Sequence, residues 1–134
     1  MRRICLLAGL VAPLLAASAW ALPPIPAYVK DSLAGSADHE AFAKTLAGLK
    51  TKCDVCHKPG VDKKAKGHGL NDFGQAFHKH LDDKQFMALH KEKKADEALA
   101  LIKEAWAKTE AEKNAAGKTY GELIKAGSLP GKND

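Results

Sequence analysis

Cys53-Asp54-Val55-Cys56-His57 is the stretch that decides how this chain is read. It is C-x-x-C-H, the spacing at which c-type haem is attached. Each residue type has a job in that chemistry. Two thiols add across the two vinyl groups of a porphyrin and leave thioether links. The two intervening residues bring both sulfurs to the vinyls from one turn of backbone. His57 follows at once, so its imidazole falls under the ring and can take the iron as proximal ligand. The expected cofactor is therefore one covalent haem c. Two other readings stand beside it. A C-x-x-C pair can be a disulfide or a thioredoxin-like redox pair, although no βαβ pattern surrounds this one. It can also be half of a zinc site, with histidines supplying the rest, since no second cysteine pair exists.

On the N-terminal side, Phe42, Leu46 and Leu49 recur at i, i+4 and i+7, one face of a helix. Ser36 or Asp38 can cap that helix. The motif then sits at its C-terminal end or just past it. On the other side, Lys58 to Gly69 reads as a loop, with Pro59, Gly60, Gly67 and Gly69 among lysines. Asn71-Asp72 caps the next helix, whose apolar positions are Phe73, Ala76, Phe77 and Leu81. His80 shares that face, and His78 points a quarter turn or more away, at about 100° per residue. Asp82-Asp83 opens a short helix carrying Phe86, Met87, Leu89 and His90. Ala95 to Lys113 reads as the longest helix, with a stripe of Ala98, Leu99, Ile102, Ala105 and Trp106, and Trp106 is read as core. Thr119-Tyr120-Gly121-Glu122 is a capping box. Lys125, Gly127 and Pro130 end the helix it starts. No alternating β pattern appears. The expected fold class is all-α, a small bundle of roughly four to five helices over residues 37–134. An extended segment, residues 22–36, precedes it, held open by Pro23, Pro24 and Pro26.

The first 21 residues read as a leader. Met1-Arg2-Arg3 is basic, Ile4 to Ala17 is apolar, and Ala19-Trp20-Ala21 is an A-x-A cleavage site. The apolar run is shorter than the roughly 20 residues a membrane span needs. The expectation is a secretory signal peptide, a periplasmic or otherwise exported product, and no stable membrane insertion after cleavage. Cys5 leaves with the leader, so Cys53 and Cys56 are the cysteines that remain. Small secreted domains commonly lean on disulfides. Here a covalent haem would supply the missing core. Of 21 basic residues, the two arginines stand at positions 2 and 3; the others are lysines, set against 16 acids. That mild basicity, without a basic stripe or arginine for base edges, argues against nucleic acid. Lys58, Lys63, Lys64 and Lys66 form either a solvated loop or a docking patch for an acidic redox partner.

With Cys53, Cys56 and His57, a helix before them and helices after, the chain resembles the monohaem cytochrome c domain. It also resembles a group of short secreted C-x-x-C-H proteins of unassigned function. Those carry a Tyr-Val-Lys-like segment and a Gly-Glu-Leu-Ile-like one, present here as Tyr28-Val29-Lys30 and Gly121-Glu122-Leu123-Ile124. Class I cytochromes c place the motif nearer the mature N-terminus and a distal methionine far downstream. Here about thirty residues lie between cleavage and motif, and Met87 comes early for that role.

The sixth iron ligand decides what such a haem does. His80 is the first candidate, since its neighbours Phe73, Phe77 and Leu81 would draw it inward and an unpaired imidazole there is costly. His68, in a glycine-flanked loop, and Met87 are the alternatives. His78 and His90 are expected at the solvent side. A saturated iron implies an electron carrier between redox partners. An open iron implies an enzyme or gas sensor, with His68 or His80 as distal acid–base groups. The third reading is a zinc module without haem. No Ser-His-Asp order, phosphate loop or paired-carboxylate signal points to other catalysis.

Overall fold

The computed structural model describes residues 24–62 and 69–131. The leader expected over residues 1–21 lies outside them, as do His68, Lys63, Lys64 and Lys66. Among the described residues there are six α-helices and two short 3₁₀ turns, and no sheet. The helices are α1 (Ile25–Leu33), α2 (Glu40–Gly48), α3 (Asp72–His80), α4 (Asp83–Lys91), α5 (Ala95–Ala111) and α6 (Tyr120–Lys125). The protein is a small all-α bundle.

Helix α1 corrects one expectation. The segment read as extended is helical from Ile25 onward, and its buried Val29 and Leu33 join the core. The prolines did not prevent this because of where they stand. Pro24 is the N-cap and Pro26 lies in the first turn, where amides have no intrahelical partner to lose. This helix brings the number to six. The capping expectation for α2 also fails. Ser36 precedes a 3₁₀ turn, Ala37–His39, and α2 starts from His39 without a side-chain cap.

Helices α3, α4 and α6 begin where their caps stand, and α5 starts from Lys94 without a side-chain cap. Asn71 Oδ1 accepts from the Gly74 amide at the start of α3. Asp82 accepts from Lys84 and Gln85 at the start of α4. Thr119 and Glu122 complete both halves of the capping box of α6. Gly127 takes φ 73° just past α6, and the Ser128 amide reaches back to the Leu123 carbonyl.

Helix α5 is the central rod, packed on by α1, α3, α4 and α6. Its inner stripe is Ala98, Ile102, Ala105, Trp106 and Thr109. Trp106 gathers the aromatic core. Phe73 and Phe77 meet it edge-on at 5.1 and 5.9 Å, Phe42 lies tilted to it at 6.2 Å, and Tyr120 stands edge-on to Phe73 at 5.3 Å. Burying each such side chain contributes about 2–3 kcal/mol. The indole N–H of Trp106 donates to Glu110 Oε1 at 2.8 Å, and His39 Nε2 meets the same oxygen at 2.7 Å. The apolar face of α3 is thus packed against α5, with α2 beside it.

Candidate cofactor-attachment site

The motif stands just past α2. Leu49 and Thr51 are extended, and Lys52–Val55 closes a 3₁₀ turn. The carbonyl of Cys53 accepts from the amides of both Cys56 and His57, at 3.1 and 2.9 Å. Cys53, Cys56 and His57 therefore issue from one tight turn. Val55 anchors that turn in the core, 3 % exposed. Cys53 and Cys56 are both free thiols and both half-buried residues. Cys56 packs against the core. Burial first, then the neighbouring Cys53, pushes its thiol up to about 12.

The turn is gripped from the C-terminal side. The Asn71 amide donates to the Cys56 carbonyl at 2.9 Å. The Asn71 side chain donates through Nδ2 to the Val55 carbonyl at 3.0 Å. Gly74, inside α3, lies against the Cys56 carbonyl, where a Cβ would have no room. His57 pairs with Leu70 in a short antiparallel bridge, and the Lys58 amide donates to the Gly69 carbonyl at 2.8 Å.

Sequence reasoning read Asn71 only as a cap and passed over Gly74. The signal for Gly74 was there. A glycine inside an amphipathic helix costs about 1 kcal/mol against alanine, so one standing beside Phe73 points to a close approach. Nothing local signals the second job of Asn71, because Val55 is 16 residues away.

The distal candidates sit as follows. His80 is half-buried, and its Nε2 is engaged by Glu112 Oε1 at 2.6 Å. Lys79 Nζ reaches the same oxygen at 2.8 Å. The hydrogen bond from Lys79, then that from His80, holds the Glu112 carboxyl below its ordinary value. Met87 is half-buried against the core. His78 Nδ1 meets Asp83 Oδ2 at 3.0 Å. His90 stacks on Phe86 and meets the Tyr28 hydroxyl at 3.4 Å. Both are half-buried rather than turned to solvent. His68 lies outside the described residues.

Chemically, the donor set suits covalent haem. It offers two unpaired thiols and a following imidazole from one turn, and the backbone of that turn is held by Asn71 and Gly74. Among the described residues, no three His, Cys, Asp or Glu side chains come together as a metal-holding group. No helix among them is long and apolar enough to cross a membrane. No family model, curated protein or solved structure matches the chain.

Proposed function

We propose that this chain is an exported c-type haem protein that passes single electrons between redox partner proteins. The observation that carries the reading is the turn itself: Cys53 and Cys56 are unpaired, and one carbonyl ties Cys56 and His57 together. Cys53 and Cys56 would carry the thioether links, and His57 would be the proximal ligand. When bound, the haem supplies one-electron exchange at iron. The rest is done by the chain. Val55 roots the turn, Asn71 and Gly74 fix its backbone, and the packed helices limit reorganisation around it. Export rests on the leader, Met1 to Ala21, and an acidic partner on the lysines after the motif.

One observation favours a second reading, an open distal side with enzyme or gas-sensor chemistry. His80, the first candidate for the sixth ligand, has its Nε2 engaged by Glu112. Held that way, it leaves the iron's sixth position to His68, Met87 or an outside ligand.

The deciding experiment is a pyridine haemochrome spectrum with metal analysis, on protein made in a host with haem-attachment machinery. Covalent haem at one iron per chain supports the reading. One zinc and no iron would sink it. Carbon monoxide then separates the two haem readings: slow or absent binding to the reduced protein fits a carrier, and fast binding fits an open site.

A further inference from the structure

We infer that Asn71 is the positioning residue of the attachment turn, holding the Cys56 peptide so that both thiols are presented in one fixed geometry. This rests on the haem reading of the same site and names what sets it up.

Capping α3 needs only an acceptor, and Asn71 Oδ1 provides it to the Gly74 amide at 2.8 Å. Aspartate or serine would cap as well. What asparagine adds is a donor, Nδ2, one bond beyond the reach of a serine hydroxyl and absent from aspartate, and that donor goes to the Val55 carbonyl at 3.0 Å. The backbone amide of the same residue takes the next carbonyl, Cys56, at 2.9 Å. Two consecutive peptide units of the motif are therefore held by one residue. Fixing both fixes the direction of the Cα–Cβ bond of Cys56 relative to Cys53.

The environment leaves the carboxamide one orientation. Reversing it would set oxygen against the Val55 carbonyl and N–H against the Gly74 amide. Asn71 is fully buried, and Gly131 lies against its carboxamide with no space for a Cβ. A buried amide so enclosed stays because its bonds are made. Attachment of both sulfurs to two vinyl carbons of one rigid macrocycle demands a fixed spacing, and pre-positioning raises the effective concentration of the second thiol.

The test uses Asn71→Ser and Asn71→Asp in the full chain. Each keeps an acceptor for the Gly74 amide and removes the Nδ2 donor. Ile124→Val, a buried change in α6, is the control for general loss of stability. The first readout is the α-band of the pyridine haemochrome, which moves to longer wavelength for each vinyl left unlinked. Wild type and Ile124→Val should give the two-link position. The Asn71 variants should shift toward one link. The second readout needs no haem. The chain with free thiols is equilibrated with reduced and oxidised dithiothreitol, which takes two electrons and two protons as the Cys53–Cys56 disulfide forms. The disulfide equilibrium constant should fall in the Asn71 variants, by up to about fivefold, the full factor of one net hydrogen bond. The inference is overturned if folded Asn71 variants match wild type in both readouts, or if Ile124→Val moves them as far. If wild type takes up no haem, the haem reading fails on its own, and the dithiothreitol equilibrium still decides the role of Asn71.

Discussion

Gly74 and Cys56 meet backbone to backbone: a Cβ on Gly74 would overlap the carbonyl oxygen of Cys56 and stand 2.9 Å from its carbonyl carbon. Helix α3 and the attachment turn are in contact because that atom is missing. Gly74→Ala should therefore run against helix propensity. Alanine gains about 1 kcal/mol in a helix, but forcing atoms into a packed contact costs about 1–3 kcal/mol, and here the neighbour is backbone. The expected outcome is a net loss of stability in urea unfolding. A gain would mean that the turn can move away freely.

The two thiols should differ in reactivity before anything is attached to them. With its thiol pushed up to about 12, Cys56 is almost wholly protonated at pH 8, on the order of one thiolate in ten thousand. Iodoacetamide, followed by peptide mass spectrometry, should label Cys53 well before Cys56 in the haem-free chain. In urea the difference should vanish, because burial causes it. Equal labelling rates in the folded chain would contradict the packing of Cys56 against the core.

Glu112 should give the fold an acid-side dependence. Its carboxyl is held below the ordinary 4.5 by hydrogen bonds from Lys79 and His80. A lowered folded value means that the ionised form is favoured by folding. The stabilisation is complete above the unfolded value and fades as pH falls through the folded one. Glu112→Gln should lower the urea midpoint at pH 7, by less than about 1 kcal/mol for so exposed a pair. The gap to wild type should close below about pH 4.5. A gap that widens in acid would reverse the assignment.

Lys93 is the one described non-glycine residue with positive φ, at 60°, in the turn between α4 and α5. A left-handed conformation costs an L-residue about 1–2 kcal/mol. Lys93→Gly should raise the melting temperature, with a gain of about 1 kcal/mol. Lys103→Gly, in the middle of α5, should lose about as much. If both substitutions destabilise, the side chain of Lys93 contributes more than its backbone strain removes.

Where an element announces itself through its own neighbours, the sequence was enough. Asn71, Asp82 and the Thr119–Glu122 box each marked a helix start, because capping is settled within four residues. That Cys53 to His57 sit just past the end of a helix was readable for the same reason. Helix α1 was missed because Pro24 and Pro26 can equally hold a segment extended or stand in the first turn of a helix, and it is the burial of Val29 and Leu33 that favours the helix. His80 shows the limit of helical phase. Phase places it on the face of Phe73 and Phe77, yet its partner is Glu112, 32 residues on, which only the packing of α3 against the end of α5 brings near. The bond from Asn71 to Val55 is of the same kind, as is the seat of Gly131 on Asn71.

That last contact sets an order of events for the chain. The ribosome delivers Cys53 and Cys56 long before Gly131. Until residue 131 arrives, the Asn71 carboxamide lacks the cover Gly131 gives it, and until α5 arrives, α3 lacks its main packing partner. The hydrogen bonds that grip the turn span short loops, from Asn71 back to Val55 and Cys56, but the packing that shields them from water comes from α5 and Gly131. During emergence the two thiols are thus on a slack segment, open to enzymes and reagents. That window closes with the arrival of the chain's last described residues.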